Sequence, residues 1–424
     1  MEQSEFERVA ASFAAFHGEF APLFGRKEAQ RRSEQYLRGL LVQQTDRRNA
    51  ENVAEAIEGA TARSLQRFLT EAPWSGEAVI ARLQGYLGGR LSTPEGVLIL
   101  DDTGFAKQGR KSVGVARQYS GTLGKIGNCQ VAVFLAYASE RGHALVDRAL
   151  YLPRSWTEDA ERCQAAGVPE DQRSYQSKTD LALKLLRQAR QRGHLSGQWV
   201  TADEDYGKVP SFRDALDAEG WWYVLEVLCT TQVFTQAVQS EVREWVGNGR
   251  PPTQPPQAEG EPGPVAVRTL AAQLPDTAWQ TLTVAEGSQG PRSYRFATQR
   301  VWEHREGLPG QACWLIWRRN LDGSELKYYF SNAPADTPLL KLAQVGAVRW
   351  VIETEFQTHK GEAGLDEYEA RCWQSWYHHI TMAMLAGAFL LTLEQDWGGK
   401  AAPDHPAADH SSAPATAAAA RLDS

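Results

Sequence analysis

The stretch Val97-Leu98-Ile99-Leu100-Asp101-Asp102-Thr103 decides how the chain is read. A short apolar run bounded by polar residues reads as a buried strand, here with two carboxylates at its C-terminal edge. The texture before it is helical, and after it strands and helices alternate.

Upstream, Phe6, Val9, Phe13 and Phe16 recur at helical spacing. A second helix is expected near Ser33–Gln43. From Glu51 the chain reads as helix, turn at Gly59, helix, with Arg63 and Arg67 on the second helix. That pattern is compatible with a helix-turn-helix and equally with a plain helical bundle. A further helix over Gly76–Leu87 closes at Gly88-Gly89.

Downstream, residues 104–139 contain no Asp or Glu but carry Lys107, Arg110, Lys111, Arg117 and Lys125 among repeated glycines. Strands are expected over Cys129–Ala138 and His143–Leu152, giving a three-stranded meander with a basic, glycine-rich first connection. Such a connection can follow a phosphate backbone, or it can be a solvated loop. Residues 154–175 read as irregular and Lys178–Arg192 as an amphipathic helix. A strand from Trp199 ends at Asp203-Glu204-Asp205, a helix follows over Ser211–Glu219, and another strand begins at Trp222. The alternation indicates an α/β fold.

Between about 230 and 335 the texture shifts. Pro251-Pro252 and Pro255-Pro256 mark a flexible stretch. Short strands follow at Trp279–Val284, Arg292–Arg300, Ala312–Arg319 and Leu326–Asn332, with a hairpin turn at Asn320–Gly323. Helix resumes at Leu339 and is expected to continue through Arg349-Trp350-Val351-Ile352-Glu353-Thr354-Glu355-Phe356-Gln357-Thr358-His359-Lys360. At about 3.6 residues per turn, Arg349, Glu353 and Lys360 fall near one face. Such a face suits a metal-and-phosphate site; it also suits an ordinary ion pair between Arg349 and Glu353. A long apolar helix covers Trp373–Leu393, and residues 397–424 read as disordered.

The 424 residues suggest about two to three domains. The expected division is a helical domain over 1–95, an α/β core over 96–229 and 336–396, a β-rich insertion over 230–335 and a tail over 397–424. The five cysteines form no CxxC or Cys/His cluster, so neither a zinc site nor a disulfide framework is indicated, and a cytoplasmic setting fits. No signal-peptide pattern opens the chain, and the apolar run near Met382–Leu393 is short for a membrane span. A net charge of −7 argues against a general, histone-like affinity for nucleic acid, but not against local basic surfaces.

Three acidic positions carry candidate chemistry. Asp101 or Asp102 ends one strand, Asp203 ends another, and Glu353 lies on the helix after the insertion. Acids at strand ends of an open α/β sheet face the ligand crevice. Each also has a plain structural reading, as a cap, a turn former or half of an ion pair. Converging carboxylates repel one another, and a hard divalent cation relieves that repulsion.

The segments Leu98–Phe105, Val200–Gly207 and Arg349–Lys360, in this order and separated by a β-rich insertion, resemble the three acidic motifs of bacterial insertion-sequence transposases of the DDE type. In one branch of that family the last motif reads Tyr-x2-Arg-x3-Glu-x6-Lys. Arg349, Glu353 and Lys360 match it, while Gly346 stands at the Tyr position. The resemblance implies an RNase H-like α/β core interrupted by a β-rich insertion, with an N-terminal helical DNA-binding domain. It implies a catalytic set of Asp101, Asp203 and Glu353 holding two Mg²⁺ (Mn²⁺ substituting), with Asp101 favoured over Asp102 by the Asp-x-Thr pattern. Lys107, Arg110, Lys111 and Lys125 would join Arg349 and Lys360 on DNA phosphates, and Trp350 would stack on a flipped base or serve as a core residue. Implied partners are double-stranded DNA with terminal inverted repeats, target DNA and a second copy of the chain on that DNA. A domesticated DNA-binding regulator, or a nuclease that cuts without joining, are the other readings.

Overall fold

The computed structural model describes residues 3–42, 47–238, 261–285 and 290–398. The Pro251–Gly260 stretch and residues 399–424 lie outside that range. The fold is mixed α/β. It divides into two compact units, Met1–Gly197 with Trp350–Ser424, and Gln198–Arg349.

In the first unit the expected meander forms from β1 (Val97–Ala106), β3 (Lys125–Ser139) and β4 (Gly142–Leu150), and the sequence reading missed one strand, β2 (Ala116–Ser120). β3 is long enough to pair antiparallel with all three others. It takes β1 from Val97↔Ala138 to Ala106↔Cys129, β4 from Ser139↔Gly142 to Ala132↔Leu150, and β2 from Ala116↔Cys129 to Ser120↔Lys125. β2 lies in the stretch that reads as a basic connection. The strand is five residues long and mostly polar, so its two-residue alternation is a weak signal; Arg117 and Tyr119 are exposed and Ser120 is buried.

Helices form at Gln3–Phe20, Lys27–Leu41, Ala50–Ala56, Ala62–Thr70 and Gly76–Leu91, with the Gly59 turn at φ 72°. The second begins six residues before the expected Ser33, and the last runs through Gly88-Gly89, expected to close it, to Leu91. They gather around the long Trp373–Gly398 helix. Phe13 and Phe16 meet Phe389 at 5.3 and 5.4 Å, and Trp74 stacks on His378 at 3.7 Å. Each such ring pair adds about 0.5–1.5 kcal/mol beyond its burial. Tyr36 Oη lies 2.8 Å from His379 Nδ1, and His379 Nε2 lies 3.0 Å from the Gly364 carbonyl. Neutral His379 satisfies both contacts by accepting from Tyr36 and donating to Gly364. Burial holds its pKa down at about 3.

The second unit holds β5 (Trp199–Ala202), β6 (Trp222–Glu226), β7 (Gln232–Phe234), β8 (Val265–Ala266), β9 (Gln280–Ala285), β10 (Arg292–Arg305), β11 (Leu308–Arg319) and β12 (Leu326–Ser331). Their order is β5-β6-β12-β11-β10-β7-β8, with β9 on β10. β5 and β6 are parallel; the β6–β12 pair and those beyond it are antiparallel. The β-rich segment therefore extends the same sheet through β12. Arg213, on the Pro210–Ala218 helix, pairs with Glu303 of β10 at 2.6 Å, both buried.

Three expectations are corrected. The strand expected to end at Asp101-Asp102 runs on to Ala106, because the ladder with β3 continues through Ala106↔Cys129 and leaves both acids mid-strand. Residues 154–175, read as irregular, hold the short helices Arg154–Thr157 and Ala160–Ala165, the second capped by Asp159. The helix expected to continue from Leu339 through Lys360 is two helices, Leu339–Ala347 and Trp350–Ala363, with Val348 and Arg349 in a turn. The first is held in the second unit, where a Cβ on Gly346 would stand 3.1 Å from Val224. The second buries Val351, Ile352 and Phe356 in the first unit. Two helices with apolar faces in different units need a turn between them. No helix among the described residues is long and apolar enough to cross a membrane.

Candidate active site

β1 carries its two carboxylates on opposite faces, because successive strand residues alternate. Asp101 pairs across the ladder with Phe134, whose ring meets Phe356 of the Trp350–Ala363 helix at 5.4 Å. Two residues on, on the same face, Thr103 Oγ1 lies 2.8 Å from Lys360 Nζ. The Asp101 face of β1 is thus the one covered by the helix that bears Glu353. Asp102 points the other way, to the Lys178–Arg192 helix, where Lys178 Nζ donates to both its oxygens at 3.0 and 2.9 Å. Asp101 Oδ1 accepts the Asp102 backbone N–H at 2.7 Å.

On the Trp350–Ala363 helix, Glu353 is exposed and precedes Lys360 by two turns on one flank, about 10 Å along the axis. The opposite flank is anchored by a carboxylate that sequence reasoning missed. Glu355 is buried, accepts from His143 Nδ1 at 2.5 Å and lies 3.3 Å from His359 Nδ1. Burial opposes a charge on His143, but the hydrogen bond and charge of Glu355 outweigh it and raise the His143 pKa. The i,i+4 spacing of Glu355 and His359 was the available signal; His143, on β4, could not be foreseen. Trp350 is half-buried, its ring edge-on to His143 at 6.5 Å.

Lys360 is half-buried. Besides Thr103, its Nζ donates to Thr122 Oγ1 at 3.1 Å. Burial lowers its pKa, and Asp366 offsets that in part. Lys107 is also turned inward: it donates to the Tyr368 carbonyl at 3.0 Å and lies 3.5 Å from that ring's centroid, and burial brings its pKa down to about 8. Arg110, Lys111 and Lys125 are exposed.

In the second unit Asp203 follows β5 and caps the one-turn helix Glu204–Gly207, its Oδ1 accepting from the Asp205 N–H at 3.0 Å. The capping role takes one oxygen in that bond. Arg349 Nε lies 3.8 Å from Glu226 Oε2, and Lys327 contacts the same carboxylate at 3.1 Å.

No group of three or more His, Cys, Asp or Glu among the described residues forms a metal-holding cluster. The proposed donors are all carboxylates. Hard oxygen donors without imidazole or thiolate fit Mg²⁺ or Mn²⁺ rather than zinc. Both oxygens of Asp102 already accept from Lys178.

The chain is similar to a cryo-EM structure of a piggyBac transposase synaptic complex with hairpin DNA, at a TM-score of 0.41 and 9% identity, over 98% of this chain and 76% of that one. It is 29% identical over 196 residues to a probable transposase for insertion sequence element IS701 from Microchaete diplosiphon. That match covers 45% of this chain, and the chain spans about half the length of the curated relative, 47%. A family model described as DDE superfamily endonuclease matches residues 19–291, which include Asp101 and Asp203 and stop short of Glu353. The match takes in more than half of the chain, which belongs to the DDE superfamily of endonucleases.

Proposed function

We propose that the chain is a metal-dependent DNA transposase of an insertion sequence, built on an RNase H-like core, that cuts at the element's ends and joins the freed strands to target DNA. The observation that carries this reading is the geometry of β1. Asp101 faces the helix bearing Glu353, while its neighbour Asp102 is already neutralised by Lys178. Family membership and the IS701 relative support the same reading.

In this account Asp101, Asp203 and Glu353 hold two Mg²⁺ or Mn²⁺ ions. Bound there, such ions stabilise the attacking and leaving oxygens of an in-line phosphoryl transfer. Water attacks the phosphodiester at the element's end and releases a 3′-hydroxyl, which then attacks a phosphodiester of the target. Lys360, fixed by Thr103 and Thr122 one strand repeat from Asp101, supplies a cation to a phosphate beside the acids. Arg349 and the exposed Arg110, Lys111 and Lys125 hold the backbone. The N-terminal helices bind the terminal inverted repeats, and two chains act together on paired ends in the cytoplasm.

The test is a supercoiled plasmid carrying the inverted repeats that flank the coding element, incubated with the protein and Mg²⁺. Excision with integration is expected. Binding without cleavage, or nicking that ignores the repeats, would contradict the proposal.

A further inference from the structure

The β2–β3 hairpin displays a surface that the site described above does not use. Tyr119 and Ile126 are direct cross-strand partners, so their side chains stand together on one face. They are 61% and 60% exposed, among the most exposed large apolar residues described. Single exposed apolar residues need no explanation, but a paired aromatic–aliphatic plate at a hairpin end does. Arg117, two residues before Tyr119 on the same side, is exposed; Lys125, next to Ile126 on the strand and paired with Ser120, is exposed on the other face.

The plate sits on a firm base. A Cβ on Gly104 would stand 2.0 Å from Ser120 Oγ, so β1 and the hairpin approach each other in a way that only glycine permits. Gln118 Nε2 donates to the Cys129 carbonyl at 2.9 Å, and Asn128 Nδ2 to the carbonyls of Lys107 and Gly109 at 2.6 and 2.9 Å. The hairpin is thereby tied to the strand that bears Asp101.

We propose that this hairpin is a base-contacting wedge, with Tyr119 and Ile126 packing on an unstacked base at a DNA end and Arg117 holding a flanking phosphate. The inference rests on the reading of the chain as a DNA-processing enzyme. Charge selects the occupant. From Thr103 to Ser139 there are five Lys and Arg and no Asp or Glu. Interfaces between proteins are depleted of lysine at their centres, whereas surfaces that bind unpaired nucleic acid interleave cations with aromatic rings.

The experiment uses the full chain and a short duplex of the element's terminal sequence, with 2-aminopurine in the last base pairs and no divalent metal. Wild type is expected to raise the probe's emission on binding. Tyr119→Ala and Ile126→Ala should lose that rise and bind about 10- to 100-fold more weakly with an unchanged salt slope, because the lost contact is stacking. Tyr119→Trp should retain the rise, and Arg117→Ala should lower the salt slope by about 1. Equal thermal unfolding shows that each variant is folded. Tyr119→Ala that binds and opens the end like wild type overturns the wedge, and so does one that binds normally but loses self-association in light scattering. Wild type that shows no salt-dependent binding to end DNA instead overturns the functional reading itself.

Discussion

On one face of β1, Asp101 looks toward the helix that carries Glu353 and Lys360; on the other, one residue later, Asp102 is closed off by Lys178. The two residues share a type, a strand and almost a position, so their difference comes from what the topology brings to each face. A carboxylate with both oxygens on an ammonium group is a structural element. One that shares its face with an exposed Glu and a tethered Lys is a place where charge can be put to use. The same contrast separates the basic residues, with Lys107 turned inward onto Tyr368 and Lys125 standing in solvent.

The largest effect should come from the helix flank. Glu353→Gln is expected to reduce end cleavage by more than about a hundred-fold, beyond what loss of a partner that only supports a metal ligand costs. DNA binding should stay near wild type in a gel-shift titration. Cleavage at the wild-type rate would remove Glu353 from the site and leave the two faces of β1 without a functional difference.

Next comes the hairpin's attachment to β1. Gly104→Ala places a methyl group 2.0 Å from Ser120 Oγ and should destabilise the fold by about 1–3 kcal/mol in denaturant unfolding. An unchanged midpoint would mean that the hairpin is not seated on β1 as described.

Acid stability sharpens the contrast between buried and exposed groups. His379 keeps a pKa of about 3 in the fold against an ordinary value near 6.5, so the unfolded chain takes up the proton first. The stability this group contributes is complete above about pH 6.5 and is lost as pH falls toward 3. Between pH 7.5 and 5.5 it alone should lower unfolding free energy by about 1.4 kcal/mol. If His379→Gln left the pH dependence unaltered, His379 would not be the neutral, buried group described.

The smallest effect concerns the two lysines. Lys125→Ala should lower the slope of binding against salt by about 1, while Lys107→Ala leaves it unchanged. Equal slopes for both variants would erase the distinction between inward and outward lysines.

Much of the fold was legible in the sequence. The apolar run before Asp101, the turn at Gly59 and the hairpin at Asn320–Gly323 are local signals, and each forms where expected. β2 was not legible, because a five-residue, mostly polar strand gives little alternation to read. The turn at Val348–Arg349 was hidden for another reason: helical periodicity runs straight through it, and only packing into separate units breaks it. Around the site, sequence order placed Glu353 on its helix and Asp101 on its strand, but put the end of that strand too early: β1 runs on to Ala106, so Asp101 sits mid-strand. The partners that give those residues their surroundings are far along the chain. Lys178 lies 76 residues from Asp102, and Thr103 lies 257 from Lys360, so no local pattern could announce them.

The central claim is that Asp101, and not Asp102, works at the reacting phosphate. Cleavage of end-bearing plasmid by folded Asp101→Asn and Asp102→Asn proteins, measured side by side with Mg²⁺, tests it most directly. Asp101→Asn should be inactive, while Asp102→Asn cleaves within about tenfold of wild type, the low end of the cost of losing a supporting partner. An active Asp101→Asn, or an inactive Asp102→Asn beside it, would contradict the account.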